Sequence, residues 1–385
     1  MHSLNDASDA SAFGDAILRK LDDSAPLLRQ RAPLQTATPE FAWEKWFAIS
    51  NAKVFRSVLP AALGGCSANQ SALMRSVERI GYLSVDAGLN FSVATQLASS
   101  LIPIHTWGTP QAKARYLDGL ASGELIGAHA ISEETAGSDV FAMQTTAVDD
   151  GDDVVINGEK TFVTNGPLAD LIVVYAKRPS ASRLSSLSAF VVETGTPGVQ
   201  RGSALAKVGL HGSLNGTLTL RDCRVPKANL IGGDGGGFHI LDKVMKKEIL
   251  LCFVISIGES LRRLEETIEF AKTRRQFGAR ISSNQAIAHK IADMRIGYET
   301  ARALLYQAAA KLDSKQDATI EVAAAKIVAS DYAIENAIAA LHVRGGAGYL
   351  QDAGAGEAIA DTLAGPIYSG TNEIQRNRIA VALGL

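Results

Sequence analysis

The carboxylate best placed to do chemistry in this sequence is Glu248, within DKVMKKEILLCFVISIG (242–258). It stands just before an almost wholly apolar run. On a helix its neighbours a turn away are Val244, Leu251 and Cys252. A carboxyl group among such side chains loses solvation, which disfavours its charged form and raises its pKa. A group that takes and returns a proton during a reaction needs that property. The same position also suits a helix-boundary glutamate whose stem lies on apolar surface while its head reaches water. The residues alone leave both readings open.

The other chemistry-bearing types form no cluster. Cys66, Cys223 and Cys252 are scattered and odd in number, which suits a reducing cytosol. His129, His211, His239, His289 and His342 show no ligand spacing, so no metal site is expected. The glycine run GGDGGGF (232–238) is read as a flexible junction before a long helix. A dinucleotide loop would follow a strand inside a βαβ unit, and no such alternation is present.

Three textures of chain must position these residues. Residues 1–124 read as helices, with apolar residues three and four apart in SALMRSVERIGYL and TPQAKARYLDGLASGE. Thr109-Pro110 is a helix start with proline at the first helical position. Residues 125–232 are β-rich. DDVVINGEKTFVTNG reads as two strands joined by a turn at Asn157-Gly158, followed by the β-branched runs DLIVVYAKR, LSAFVVET and GTLTLRDCRV. Residues 233–385 return to long helices, from Phe238 to about Arg275, Asn284 to about Leu312 and Thr319 to about Val343.

Composition excludes several classes. The chain has 385 residues, enough for two or three domains or for one large compact unit with a substantial core. A net charge of −2 gives no case for nucleic acid or an anionic membrane. The longest apolar stretch, 249–257, is too short to span a bilayer. The start MHSLNDASDAS carries neither a secretion signal nor, with its acidic residues, a mitochondrial transit sequence, so a cytoplasmic location is expected.

Five segments in order give the chain a family resemblance: GAHAISEETAGSDV (127–140), INGEKTFVTNG (156–166), RRQFG (274–278), VRGGAGYL (343–350) and IYSGTNEIQR (367–376). Together with the helix, β, helix order they resemble the acyl-CoA dehydrogenase superfamily across the whole chain. The resemblance implies an α+β multidomain fold: an N-terminal helical domain, a middle β-barrel or sandwich domain and a C-terminal four-helix bundle. It also implies bound FAD and oxidation of an acyl thioester between Cα and Cβ.

By resemblance, Ile131, Ser132, Gly137, Ser138, Phe162 and Thr164 line the flavin, with Ser138 also near substrate. A tight turn at Gly137 and Ser138 would offer backbone donors without a side-chain clash. Phe162 stands where a tryptophan is common and could stack on the ring. Ile131 and Phe162 equally suit a strand core. Arg274, Gln276, Phe277, Gly345 and Gly346 match positions that hold FAD phosphates and adenosine from a neighbouring subunit, so a homo-oligomer, dimer or tetramer, is implied. Two departures bear on cofactor affinity. His342 occupies a place where glutamine is usual, and Glu373 replaces a residue that often contacts adenine.

The largest departure concerns the base. Where the family commonly has glutamate, this chain has Ser369, whose hydroxyl cannot take the α-proton unaided. Isovaleryl-CoA dehydrogenase-like members carry the glutamate on the mid-chain helix, ten residues before a glycine, and Glu248 stands in that relation to Gly258. The resemblance therefore implies Glu248 as base. It leaves the Ser369 backbone N–H to hold the thioester carbonyl, with Gly370 and Thr371 keeping the turn. Serine at 369 with glutamate on the helix also resembles the prolyl-carrier-protein dehydrogenase branch. Lys246 and Lys247 would then suit an acidic carrier-protein helix, or are simply two exposed lysines. The substrate expected is an acyl or aminoacyl thioester on a carrier protein or on CoA, with no assignment of electron acceptor. The alternatives are a standard short- or branched-chain acyl-CoA dehydrogenase, a flavin oxidase or monooxygenase on the same fold, and an acyl-binding scaffold without FAD.

Overall fold

The computed structural model describes residues 2–31, 40–179 and 182–385. The N-terminal region is helical: α1 His2–Asp23, α2 Ala25–Leu28, α3 Trp43–Asn51, α4 Gln70–Leu83, α5 Ala87–Thr95, α6 Ile102–Trp107 and α7 Pro110–Ser122. The Thr109 side chain caps α7 by accepting the Ala112 N–H at 3.1 Å, with Pro110 in the first turn. Between α5 and α6 the helix widens into a π-helical segment, Gln96–Leu101. Pro103 lies just beyond it and has no N–H to donate to the carbonyl of Ser99.

The middle region is one sheet, with β1 Gly127–Ala130, β2 Thr146–Asp150, β3 Asp153–Thr164, β4 Leu171–Lys177, β5 Leu187–Glu193, β6 Val199–Arg201, β7 Asn215–Pro226 and β8 Leu230–Ile231. The order is β6-β7-β3-β2-β4-β5-β8, and β1 lies parallel to β4. Residues 153–164 form one strand, not two. The hairpin turn falls earlier, where Asp150 pairs with Asp153 across Gly151. Asn157-Gly158 instead lies in a register shift against β7, because β3 runs on beside that strand beyond it. Strand β4 is buried on both faces. Ile172 and Val174 enter the β core, while Leu171, Val173 and Tyr175 pack toward the helices.

The C-terminal region starts with the 37-residue helix α8, Gly237–Thr273, directly after the glycine run. A two-stranded hairpin follows, β9 Arg275–Gln276 and β10 Ala279–Arg280, then α9 Gln285–Asp313, α10 Thr319–Arg344, α11 Ala355–Thr362 and α12 Asn372–Ala382. Helices α8, α9 and α10 pack pairwise, α12 lies on α10, and this four-helix bundle takes α4 against α8 and α9. The α4–α8 crossing is close: a Cβ on Gly81 would stand 2.1 Å from the Ile255 carbonyl oxygen, and one on Gly258 2.1 Å from that of Glu78.

Candidate active site

Glu248 lies in the second turn-pair of α8 and is 6 % exposed. The residues after it, Ile249 to Ile255, are all buried, so the helix carries the carboxylate inside the protein. Its immediate surroundings are polar, which corrects the purely apolar setting expected from Val244, Leu251 and Cys252. Ser99 Oγ donates to Oε2 at 2.7 Å, and Ser369 Oγ donates to Oε1 at 2.5 Å. His129 Nε2 stands 3.2 Å from Oε2. Four separate elements meet here: the π-helical segment, strand β1, helix α8 and the loop before α12.

That loop is tightly held. The ring of Tyr368 stacks on Phe253 at 5.2 Å and meets Phe91 at 4.7 Å. Gln375 Nε2 donates to the carbonyls of Ser369 and Gly370 at 3.1 and 3.2 Å. Thr371 caps α12 by accepting the Ile374 N–H. Ser369 and Gly370 both have positive φ, +54° and +81°. For serine this conformation is uncommon and persists only where the surroundings impose it. Among the described residues, the backbone N–H groups of Ser369 and Gly370 make no hydrogen bond.

Burial lowers the proton affinity of His129, against the opposing pull of the Glu248 charge. Burial, reinforced by Glu248, pushes Tyr175 and Cys252 up. Tyr368 is raised by burial and by Cys252, Glu259 and Glu248. A small cavity of about 30 Å³ shares Cys252, Tyr368 and Phe91 with this centre and is also walled by Glu259 and Asp361. Burial pushes Asp361 up to about 7.

The residues matched to flavin contact fall in two places. Ile131 and Ser132 follow β1, and the Ser132 carbonyl accepts the Thr161 N–H at 2.9 Å. The tight turn is at Glu133–Ala136, and Gly137 and Ser138 form the exposed bend after it. Their N–H groups make no hydrogen bond among the described residues, and a Cβ at Gly137 would meet nothing within 4 Å. Phe162 sits in a second register shift of β3 with φ +55° and 67 % of its surface exposed. Thr164 accepts from Asn215 Nδ2 at 3.3 Å. An exposed aromatic face and free backbone donors are the kinds of group that fit a flavin ring, which stacks on one and is hydrogen-bonded by the other.

Arg274, Gln276 and Phe277 lie at the far end of α8, about 39 Å along its axis from Glu248 at 1.5 Å per residue. Phe277 and Gly278 form the hairpin tip, both at positive φ, and Phe277 is fully exposed. His342, Gly345 and Gly346 are exposed at the end of α10, and Glu373 is exposed in the first turn of α12. Lys246 departs from expectation. It is 7 % exposed, and its ammonium group lies between Asp242 and Asp317, 3.3 Å from each, so it is not an entrance cation. Lys247 is part-buried, and burial lowers its proton affinity against the pull of Asp313. Sequence reasoning missed Ser99 and His129. Residue alternation along β1 was the available signal for His129, since Ala128 and Ala130 enter the β core and leave 129 facing the helices. Ser99 had none.

Comparison with known proteins gives the family of the chain. An L-prolyl-[peptidyl-carrier protein] dehydrogenase of Serratia sp. (strain ATCC 39006) is 36 % identical over 80 % of this chain and 80 % of its own length. The crystal structure of the prolyl acyl carrier protein oxidase AnaB superposes with a TM-score of 0.91 at 31 % identity, covering 98 % of this chain and 99 % of that one. PigA with FAD and proline gives 0.90 at 31 % identity, covering 98 % of each chain. The N-terminal, middle and C-terminal domains of acyl-CoA dehydrogenase match residues 19–124, 128–223 and 235–384 in turn. The chain belongs to the acyl-CoA dehydrogenase family.

Proposed function

We propose that Glu248 is the base of an FAD-dependent α,β-dehydrogenation, and that the acyl group arrives as a thioester on a carrier protein. The supporting observation is the 2.5 Å hydrogen bond from Ser369 Oγ to Glu248 Oε1. It brings the helix carboxylate to the loop position where the family commonly has its glutamate. Proton removal from Cα needs a carboxylate within hydrogen-bond reach, and the burial of Glu248 keeps bulk water from competing for it. FAD, when bound, accepts the hydride from Cβ. The free N–H groups of Ser369 and Gly370 are donors for the thioester carbonyl as negative charge grows on it. The Ser369 hydroxyl serves Glu248 as a donor and does not replace it as base.

Phe162, Gly137 and Ser138 would hold the flavin end of the cofactor. Arg274, Gln276, Phe277, His342, Gly345 and Gly346 would hold the other end for a second subunit, since about 39 Å of helix separates Arg274 from this chain's own Glu248. That separation supports a homo-oligomer in which one subunit completes the FAD site of another. The carrier-bound substrate is supported by the relatives named for prolyl carrier proteins. With Lys246 engaged by two aspartates, Lys247 is the member of that pair left for an acidic carrier helix.

The test is anaerobic mixing of FAD-loaded protein with a panel of thioesters, prolyl-carrier protein first and short acyl-CoAs beside it. Loss of flavin absorbance with an α,β-unsaturated product is expected, faster with the carrier-bound substrate. Preference for CoA would overturn the carrier assignment, and bleaching by none of the panel would overturn the dehydrogenation. AnaB is named an oxidase, which supports a second reading in which oxygen reoxidises the flavin. Admitting air to the reduced protein decides that point.

A further inference from the structure

Glu248 meets more donors than a proton acceptor needs, and they are unevenly shared. Oε2 receives Ser99 Oγ at 2.7 Å and faces His129 Nε2 at 3.2 Å. Oε1 receives Ser369 Oγ alone, at 2.5 Å. A carboxylate offers about two lone-pair sites on each oxygen. Oε2 therefore accepts one hydrogen bond and has its other side against the His129 ring, while Oε1 accepts one and keeps a side without a neighbouring donor.

His129 carries a second sign. Its Nδ1 is buried and has no hydrogen-bond partner among the described residues. An unpaired buried polar atom costs about 1–3 kcal/mol, so a histidine kept for packing alone would be a poor choice here. The cost is tolerated on a ring whose other nitrogen faces the base. Ser99 carries a third, because it lies in the π-helical segment Gln96–Leu101, an irregularity frequent at functional sites.

We propose that Ser99 and His129 clamp Oε2 of Glu248, so that Oε1 is the atom that takes the Cα proton. The proposal rests on Glu248 being the base. Both are positioning residues, acting on substrate only through Glu248. The imidazole is neutral, with Nε2–H toward Oε2 and Nδ1 bare. The titratable groups facing the cluster are Tyr175 on β4, Cys252 on α8 and Tyr368 in the C-terminal loop. Each is pushed up, so none adds a charge at neutral pH.

The test uses FAD-loaded protein with His129→Leu, His129→Gln and Ser99→Ala, and with Glu248→Gln as control. Anaerobic flavin reduction is followed against pH. Loss of either clamp donor should slow reduction by roughly 10- to 100-fold while KM changes little, since the carboxylate is misplaced and the substrate site is not. The acid limb of the rate profile should move to higher pH, because a donor that favoured the charged carboxylate is gone. Gln, whose amide can donate from a similar place, should recover most of the rate. Wild-type rate and limb in both His129→Leu and Ser99→Ala would overturn the clamp. Should Glu248→Gln also reduce flavin normally, the base assignment itself has failed; should it be inactive, the clamp alone has. Independently of activity, 15N spectra of the histidine rings at neutral pH should show His129 as the Nε2–H tautomer. An imidazolium or an Nδ1–H tautomer would overturn the proposal.

Discussion

At the scale of single residues, the proposed chemistry depends on one exchange: serine at 369 and glutamate at 248, joined by a hydrogen bond. Restoring the more usual glutamate at 369 should therefore harm the enzyme. Ser369→Glu would set a second carboxylate against Oε1, and like charges that close cannot both ionise without raising a pKa. Flavin reduction at neutral pH should fall roughly 10-fold or more, with its acid limb moved to higher pH. A faster Ser369→Glu enzyme would mean that the two side chains approach the substrate from different sides. Glu248 is proposed from its spacing to Gly258 together with the resemblance. Its partners were not legible, because Ser99 and His129 reach it from a helix irregularity and from the register of β1 on β4. Lys246 was misread for a related reason: its second aspartate, Asp317, lies in the loop before α10, far away in sequence.

At the scale of elements, α8 does the positioning, and its own position is set by the backbone-to-backbone crossing with α4 at Gly81 and Gly258. Alanine is a better helix former than glycine by about 1 kcal/mol, so Gly258→Ala would stabilise a helix free of neighbours. Here the added methyl meets the Glu78 carbonyl oxygen at 2.1 Å and the Tyr82 nitrogen at 2.8 Å. Overpacking of this kind costs about 1–3 kcal/mol and should win. A lowered thermal midpoint for Gly258→Ala is expected, and a raised one would show that α4 yields. The extents of the long helices were legible because periodicity persists over many turns. The hairpin at residues 150–153 was displaced to Asn157-Gly158 by a favoured turn dipeptide, which β3 uses as a register shift because strand β7 continues beside it.

At the scale of the whole molecule, Arg274, matched to the far end of FAD, stands about 39 Å along α8 from Glu248. Cofactor retention should then depend on assembly. Arg274→Ala should lose FAD on dilution and regain it with excess cofactor, while leaving Glu248 intact. Sedimentation of the FAD-loaded protein should give a dimer or tetramer, and a monomer that keeps FAD tightly would remove the shared-site reading. The length of that helix was legible from periodicity, but composition and periodicity do not say which residues meet FAD, so assembly was suggested only by the resemblance. The most direct measurement of all concerns Glu248 itself. FAD-loaded Glu248→Gln, mixed anaerobically with a thioester that bleaches the unmodified protein, should keep its flavin spectrum and bind the thioester, yet remain oxidised. Flavin reduction at a near-normal rate would mean that another group takes the proton.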